Sequence, residues 1–160
     1  MATFKFKGVD DLIAQYEKLS ENSEQMIGAA IYKGAGVVMG FVTASIANIT
    51  TDEKHGSAGN LATGPKAVQK YWLEKSVGIS KARQDGSFTN VKIGFSGYNG
   101  LKTKTWPQGQ PNSMVARAVE SGTSWMQKQP FMRTAEQQAK RPCEKAMSDV
   151  IDKEIIKLTS

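Results

Sequence analysis

A chain of 160 residues with 39% hydrophobic and 22% charged residues is long enough for one domain with its own core and is neither disordered nor fibrous in composition. Its single cysteine, Cys143, excludes an intramolecular disulfide framework. The net charge of +6 is concentrated in residues 61–113, which hold eight basic and two acidic side chains. A solvated surface and a patch for DNA or an acidic partner are both open interpretations of that excess.

The first third of the chain predicts a short strand and two helices. Residues 3–7 alternate as a half-buried strand does, and Asp10 is an N-cap candidate for a helix through Ser20. A long helix from about Ser23 to Ala47 follows, because its apolar residues recur every three or four positions. The apolar run from Gly34 to Ala47 is shorter than the roughly 20 residues that span a bilayer, so we expect no membrane contact.

The long helix carries four glycines: Gly28, Gly34, Gly36 and Gly40. Each costs roughly 0.8–1 kcal/mol against alanine inside a helix, which suggests that something packs closely against them. That neighbour is either the rest of the same chain or a second subunit. We therefore expect leucine at Gly36 or Gly40 to destabilise the fold or block assembly.

A hairpin lies between two polar segments in the middle of the chain. Residues 73–80 and 88–95 alternate on either side of an Asp-Gly turn at Asp85-Gly86, which predicts two antiparallel strands. Residues 48–70 and 96–113 are rich in Gly, Ser and Thr and have no apolar period. They are predicted to be mobile loops.

The last third predicts one more strand and a C-terminal helix. Residues 114–120 have the composition of a short strand ending before Gly122. Pro130 lies at the start of the helix, where its missing N–H costs nothing, and Pro142 either kinks or divides this helix. The sequence thus predicts a single α+β domain over residues 1–160. It has a small antiparallel sheet of three to four strands packed with a long N-terminal helix and a C-terminal helix.

Catalytic and metal-binding patterns are absent from the sequence. The one histidine, His55, lies in a polar loop, and Cys143 lies at an apolar helix position. No spacing of His, Cys, Asp or Glu matches a zinc or calcium site, and no glycine-rich segment matches a phosphate loop. We expect a protein that is not an enzyme and has no catalytic, cofactor-binding or metal-binding residues.

Five short motifs follow one another along the chain: Thr63-Gly64, Ser76-Val77, Val91-Lys92-Ile93-Gly94, Glu120-Ser121-Gly122-Thr123 and Pro130-Phe131 with Ala135. Motifs of this kind occur in the same order in the neck or tail-completion proteins of long-tailed bacteriophages, and the chain resembles that family. Leu61-Ala62 and Ser121 depart from the family pattern, which has Ala-Pro and often an aromatic residue there.

The resemblance implies a structural virion protein without a cofactor or small-molecule substrate, at the head–tail joint of the virion and in the host cytoplasm before assembly. It implies a homo-oligomeric ring, expected to have six subunits. This ring lies between the head-closure or connector ring and the tail tube or terminator, with DNA passing through its channel. A tail terminator ring is the close alternative. A basic nucleic-acid-binding module is the alternative from another class.

Two groups of residues are candidates for contacts with partners. The first lies where the motifs are densest and is a candidate subunit interface, although core packing is an equal alternative for Phe131: Glu120, Gly122, Thr123, Pro130 and Phe131. The second is basic and is a candidate for contact with DNA or an acidic ring: Lys75, Lys81, Arg83 and Lys92.

Overall fold

A computed structural model describes residues 9–86 and 88–159 of the chain. Its architecture is α+β with a long N-terminal helix and a C-terminal helix, which confirms the predicted class. The strand predicted at residues 3–7 lies outside the described residues. The elements in chain order are α1 (Val9–Ala47), α2 (Ala67–Ser76), β1 (Val77–Ile79), β2 (Arg83–Asp85), β3 (Phe88–Asn90), β4 (Ile93–Phe95), α3 (Asn112–Ser121) and α4 (Phe131–Thr159).

Helix α1 is continuous over 39 residues and is therefore about 58 Å long at 1.5 Å per residue. The predicted break near Ser20 is wrong, because the intervening serine, glutamate and asparagine are tolerated in a helix. The Ser23 hydroxyl donates to the Ser20 carbonyl at 2.8 Å. At the other end, Lys70 Nζ donates to the carbonyls of Ala47 and Ile49 at 2.7 and 2.9 Å, where the helix dipole favours a cation.

Helix α4 packs along α1 in the antiparallel direction, and this is the most extensive contact between two elements of the described chain. The start of α4 lies beside Ser45 and Ile49, whereas Cys143 and Met147 lie against Gly34. The helix continues through Pro142 and is not divided there. The buried core joins α1, α2, α3 and α4: Val42, Ile46, Ile49, Leu73, Val115, Ala116, Val119, Phe131 and Ala135.

Residues 114–120 form most of helix α3, so the strand predicted there is wrong. Val115, Ala116 and Val119 are all buried, which is the spacing of one helix face and not of alternate strand positions. Gly122 ends the helix with a φ of 75°, and its N–H donates to the Ala118 carbonyl at 2.8 Å. A positive φ favours glycine at this position.

The predicted hairpin is present but is interrupted. β1 pairs with β4, with Val77 opposite Phe95, and β2 pairs with β3, with Asp85 opposite Phe88. Each antiparallel sheet thus has two strands, and the predicted sheet of three to four strands is wrong. The predicted first strand is also too long, because α2 occupies residues 67–76 and inserts Leu73 into the core.

A side chain of α1, that of Tyr32, binds the segment between the two sheets of the hairpin. Between the two sheets, the Tyr32 hydroxyl donates to the Ser80 carbonyl at 3.2 Å and accepts the Ala82 N–H at 2.9 Å. The Gln84 amide donates to the Glu24 carboxylate at 3.4 Å. The hairpin therefore runs along α1, towards the N-terminal half of that helix.

The four glycines of α1 have different surroundings. A Cβ on Gly34 would lie 2.8 Å from Met147 Sδ and 2.9 Å from Cys143 Sγ, whereas at Gly28, Gly36 or Gly40 it would meet nothing within 4 Å. Close packing within the subunit occurs at Gly34 and not at Gly36 or Gly40, where we expected it. Among residues 9–86 and 88–159, no neighbour approaches Gly36 or Gly40 closely.

We expect Gly34→Leu to lower the free energy of unfolding by about 1–3 kcal/mol, because the new side chain must displace Cys143 and Met147. Gly36→Ala is the matched control and should be neutral or stabilising by up to about 1 kcal/mol, since its methyl group enters open space. Denaturation followed by circular dichroism compares the two variants with the parent. A parent-like midpoint for Gly34→Leu would contradict this packing.

Candidate functional site

The end of α3 and the start of α4 form a hydrogen-bonded joint, which contains the densest of the family-like motifs. The Glu120 carboxylate accepts the N–H groups of Met132 and Arg133 at 2.7 and 3.1 Å. These N–H groups belong to the first turn of α4, where the helix itself offers no acceptor. Glu120 therefore caps α4 from the preceding helix.

The other residues of the predicted subunit interface also have roles within the subunit. Thr123 forms a turn, since its N–H donates to the Met126 carbonyl at 2.9 Å. A Cβ on Gly122 would come within 3.0 Å of Lys128. Phe131 is only 4% exposed, and its ring packs edge-on against Phe95 at 5.9 Å.

Phe131 is thus packed in the core of the subunit, which favours the core-packing alternative, and its role in a subunit contact stays a prediction. Pro130 is exposed, whereas Glu120, Gly122 and Thr123 are half-buried, so a neighbouring subunit can reach these four residues without a change in the fold.

The joint is also tied to the segment after α1. The Gln129 side chain accepts the Thr50 N–H at 2.8 Å and donates to the carbonyls of Thr50 and Thr63 at 2.9 and 2.8 Å. Beside it, the Ala62 N–H donates to the Trp125 carbonyl at 2.8 Å. The segment predicted as a mobile loop is fastened at these points, and its mobility stays a prediction.

Asp52 organises the same segment. Its carboxylate accepts the N–H groups of Thr63 and Lys54, both at 2.9 Å. These bonds hold the pKa of Asp52 below its ordinary value of 3.8, and the bond from the Thr63 N–H has the largest effect. The side chain therefore favours the folded loop most strongly when it is ionised.

A cleft of about 470 Å³ opens between residues 52–66, residues 101–110 and α3. Met114, Trp125 and Met126 line its apolar part, and the only histidine of the chain, His55, lies on its wall. The sequence does not predict this cleft, because its lining comes from separated stretches of the chain. Met114 and Ala118 are four residues apart and so lie on one face of a helix, but residues 114–120 are predicted as a strand, in which this shared face is not apparent.

The chemistry of the cleft is that of a binding surface for apolar groups. Trp125 is more than half exposed, so an incoming apolar side chain could pack against it. Within the described ranges 9–86 and 88–159, no group of three or more His, Cys, Asp or Glu side chains could hold a metal ion.

The predicted basic residues are only partly brought together. Lys81, Arg83 and Lys92 are exposed on the outer half of the hairpin, where the Ser80 N–H bonds the Lys92 carbonyl at 2.8 Å. Lys75 lies apart from them on α2, with its Nζ 5.7 Å from the centre of the Tyr71 ring. Among the described residues, the ion pairs shorter than 4.0 Å both lie on α4, so Lys81, Arg83 and Lys92 form none with the described carboxylates.

Large apolar side chains are exposed on α1. Leu12, Ile13 and Tyr16 are 51%, 50% and 65% exposed. Within Leu12–Ala47, α1 has a stretch with a mean hydropathy of 1.5, which by length and composition could cross a membrane, and only 17% of it is buried by the rest of the chain. This stretch is longer than the apolar run from Gly34 to Ala47 on which the expectation of no membrane contact is based, and that expectation stays a prediction.

Comparison with known proteins adds no relative. No protein-family model, curated protein or solved structure matches this chain. The resemblance to phage neck proteins thus stands on the motifs alone. Of these, the Glu-x-Gly-Thr and Pro-Phe pair now has a physical explanation as the joint between α3 and α4.

We expect Glu120→Ala to destabilise the subunit by about 0.5–2 kcal/mol, because two N–H groups of α4 lose their acceptor. Glu136→Ala, on an exposed position of the same helix, is the matched control and should change stability by less than about 0.5 kcal/mol. Urea denaturation measures both. Equal effects of the two substitutions would show that the cap contributes nothing.

The lowered pKa of Asp52 predicts a pH dependence with a defined sign. Its stabilising effect is complete above the unfolded pKa of 3.8 and is lost as the pH falls through the lower folded value. The stability advantage of the parent over Asp52→Asn should therefore shrink in acid. A difference between the two proteins that stays constant down to the acid transition would contradict this assignment.

Proposed function

We propose that this chain is a structural protein that assembles into a closed ring, of six subunits by resemblance, at the head–tail joint of a tailed phage. The observation that carries the proposal is the set of large apolar side chains that α1 exposes: Leu12, Ile13, Tyr16, Ile27 and Tyr32. Exposed apolar patches mark interaction sites in soluble proteins. A ring would cover these side chains with neighbouring subunits.

The motif resemblance gives that assembly its place in a virion. The ring would contact a head-closure or connector protein on one side and the tail tube or terminator on the other. A tail terminator that caps the tube is the close alternative, because it needs the same kind of ring. Shape and charge, and not catalysis, would perform the function.

A basic nucleic-acid-binding module is the second candidate, and the hairpin favours it. Lys81, Arg83 and Lys92 are exposed cations that form no ion pair with a described carboxylate, and basic side chains are what neutralises DNA phosphates. In the ring these cations would face either the DNA in the channel or an acidic neighbour. A salt-dependent titration of the unassembled protein with duplex DNA separates the two functions. A nucleic-acid-binding module must bind DNA as a single subunit, whereas a ring protein need not.

We expect the purified protein to sediment as a closed oligomer, and particle assembly without it to yield heads and tails that do not join. Lys81→Glu with Arg83→Glu should weaken joining while the subunit stays folded, because the charge at both positions is reversed. Sedimentation and electron microscopy of the assembly products provide the measurements. Infectious particles made normally without this protein would exclude the proposed function.

A further inference from the structure

The N-terminal end of α1 extends beyond its partner helix. Gly34 packs against Cys143 and Met147. Since both helices rise 1.5 Å per residue, Thr159 lies level with about residue 20 of α1. We call residues 12–21 the arm. It presents Leu12, Ile13 and Tyr16 to solvent and carries the exposed carboxylates Glu17 and Glu21 with one lysine, Lys18, so it is both apolar and weakly acidic.

A second exposed surface has the complementary character. Val68, Tyr71 and Trp72 of α2 are exposed, with the rings of Tyr71 and Trp72 edge to face at 5.8 Å. Lys75 lies over Tyr71. We call these four residues the aromatic face.

The loop of residues 97–110 extends the aromatic face. The Gln69 amide donates to Gln110 at 2.7 Å, and a Cβ on Gly100 would lie 3.3 Å from Trp72 Nε1. Lys102 and Lys104 follow in that loop and are exposed. Together α2 and the loop carry four lysines and one glutamate, which is the opposite charge balance to that of the arm.

The arm and the aromatic face cannot meet within one subunit. Lys70 fixes α2 to the C-terminal end of α1 through the Ala47 carbonyl. Tyr16 lies 31 residues earlier in the same continuous helix, which is about 46 Å along its axis. A contact between the two surfaces must therefore join different subunits. Because the surfaces differ, the contact is either reciprocal in a two-fold dimer or head-to-tail, and the proposed ring requires the head-to-tail arrangement, which closes into rings or continues as filaments.

We infer that the arm of one subunit docks on the aromatic face of the next copy. Leu12, Ile13 and Tyr16 would pack against Tyr71 and Trp72, and the acidic side chains of the arm would lie among Lys75, Lys102 and Lys104. Aromatic side chains dominate the energy of such contacts, and complementary charge fixes the orientation. This inference rests on the proposed ring and identifies the contact that builds it.

Two variants of the full chain test the contact. Leu12→Gln with Tyr16→Gln changes the arm, and Tyr71→Ala with Lys75→Glu changes the aromatic face. All four positions are exposed, so both variants should fold as the parent does by circular dichroism. Gln137→Ala with Gln138→Ala, at exposed positions of α4, is the control and should assemble like the parent.

Each variant alone should associate more than about tenfold more weakly than the parent, which is the effect of losing one interface hot spot. An equimolar mixture should form a one-to-one dimer and nothing larger. The intact aromatic face of the arm variant can receive the intact arm of the other variant, and no further contact is then possible. Sedimentation velocity measures all three samples.

Other results would overturn the contact. Rings that persist in both variants would refute it and leave the proposed ring in place. A mixture that remains monomeric, with both variants folded, would also refute it. A monomeric parent would remove both the contact and the ring. If that parent bound vesicles containing phosphatidylglycerol or duplex DNA, and the corresponding variant did not, the surface would belong to lipid or DNA instead.

Discussion

The antiparallel packing of α1 against α4 is the contact on which the rest of the fold depends. The two helices differ in length by ten residues, 39 against 29, or about 15 Å. Gly34 favours this register, because any side chain there would have to displace Cys143 and Met147. The register and the unequal lengths together leave one end of α1 without a partner helix among the described residues.

The joint between α3 and α4 determines where that pairing begins. Phe131 is buried next to Phe95, Glu120 caps the first turn of α4, and Gln129 ties the joint to Thr50 just beyond α1. These contacts anchor both helices at the same end of the molecule. The apolar residues at the opposite end of α1 are consequently far from the core, and the rest of the described chain leaves Leu12, Ile13 and Tyr16 exposed.

The sequence predicts the features that depend on local chemistry. The α+β class, the antiparallel hairpin with a turn at Gly86 and the helix that starts after Pro130 all follow from periodicity and turn residues. Residues 114–120 were misassigned because a seven-residue apolar segment fits either a strand or a helix. The pattern of burial distinguishes the two, because the buried residues Val115, Ala116 and Val119 lie on one face of helix α3.

Features that depend on distant parts of the chain could not be predicted in this way. The Glu120 cap and the Gln129 clamp join residues that are separated in sequence, and the cleft beside His55 gathers several loops. The choice of Gly34 over Gly36 and Gly40 depends on which face of α1 meets α4. Of the candidate site, the grouping of Lys81, Arg83 and Lys92 follows from the hairpin, whereas the burial of Phe131 is a property of the whole fold.

Electron cryomicroscopy of the purified, assembled protein tests the central claim most directly, because it shows what covers α1. We expect a closed ring in which the N-terminal end of each α1 is buried against the neighbouring subunit. Monomers, or rings in which this end of α1 projects into solvent with no subunit against it, would contradict the claim.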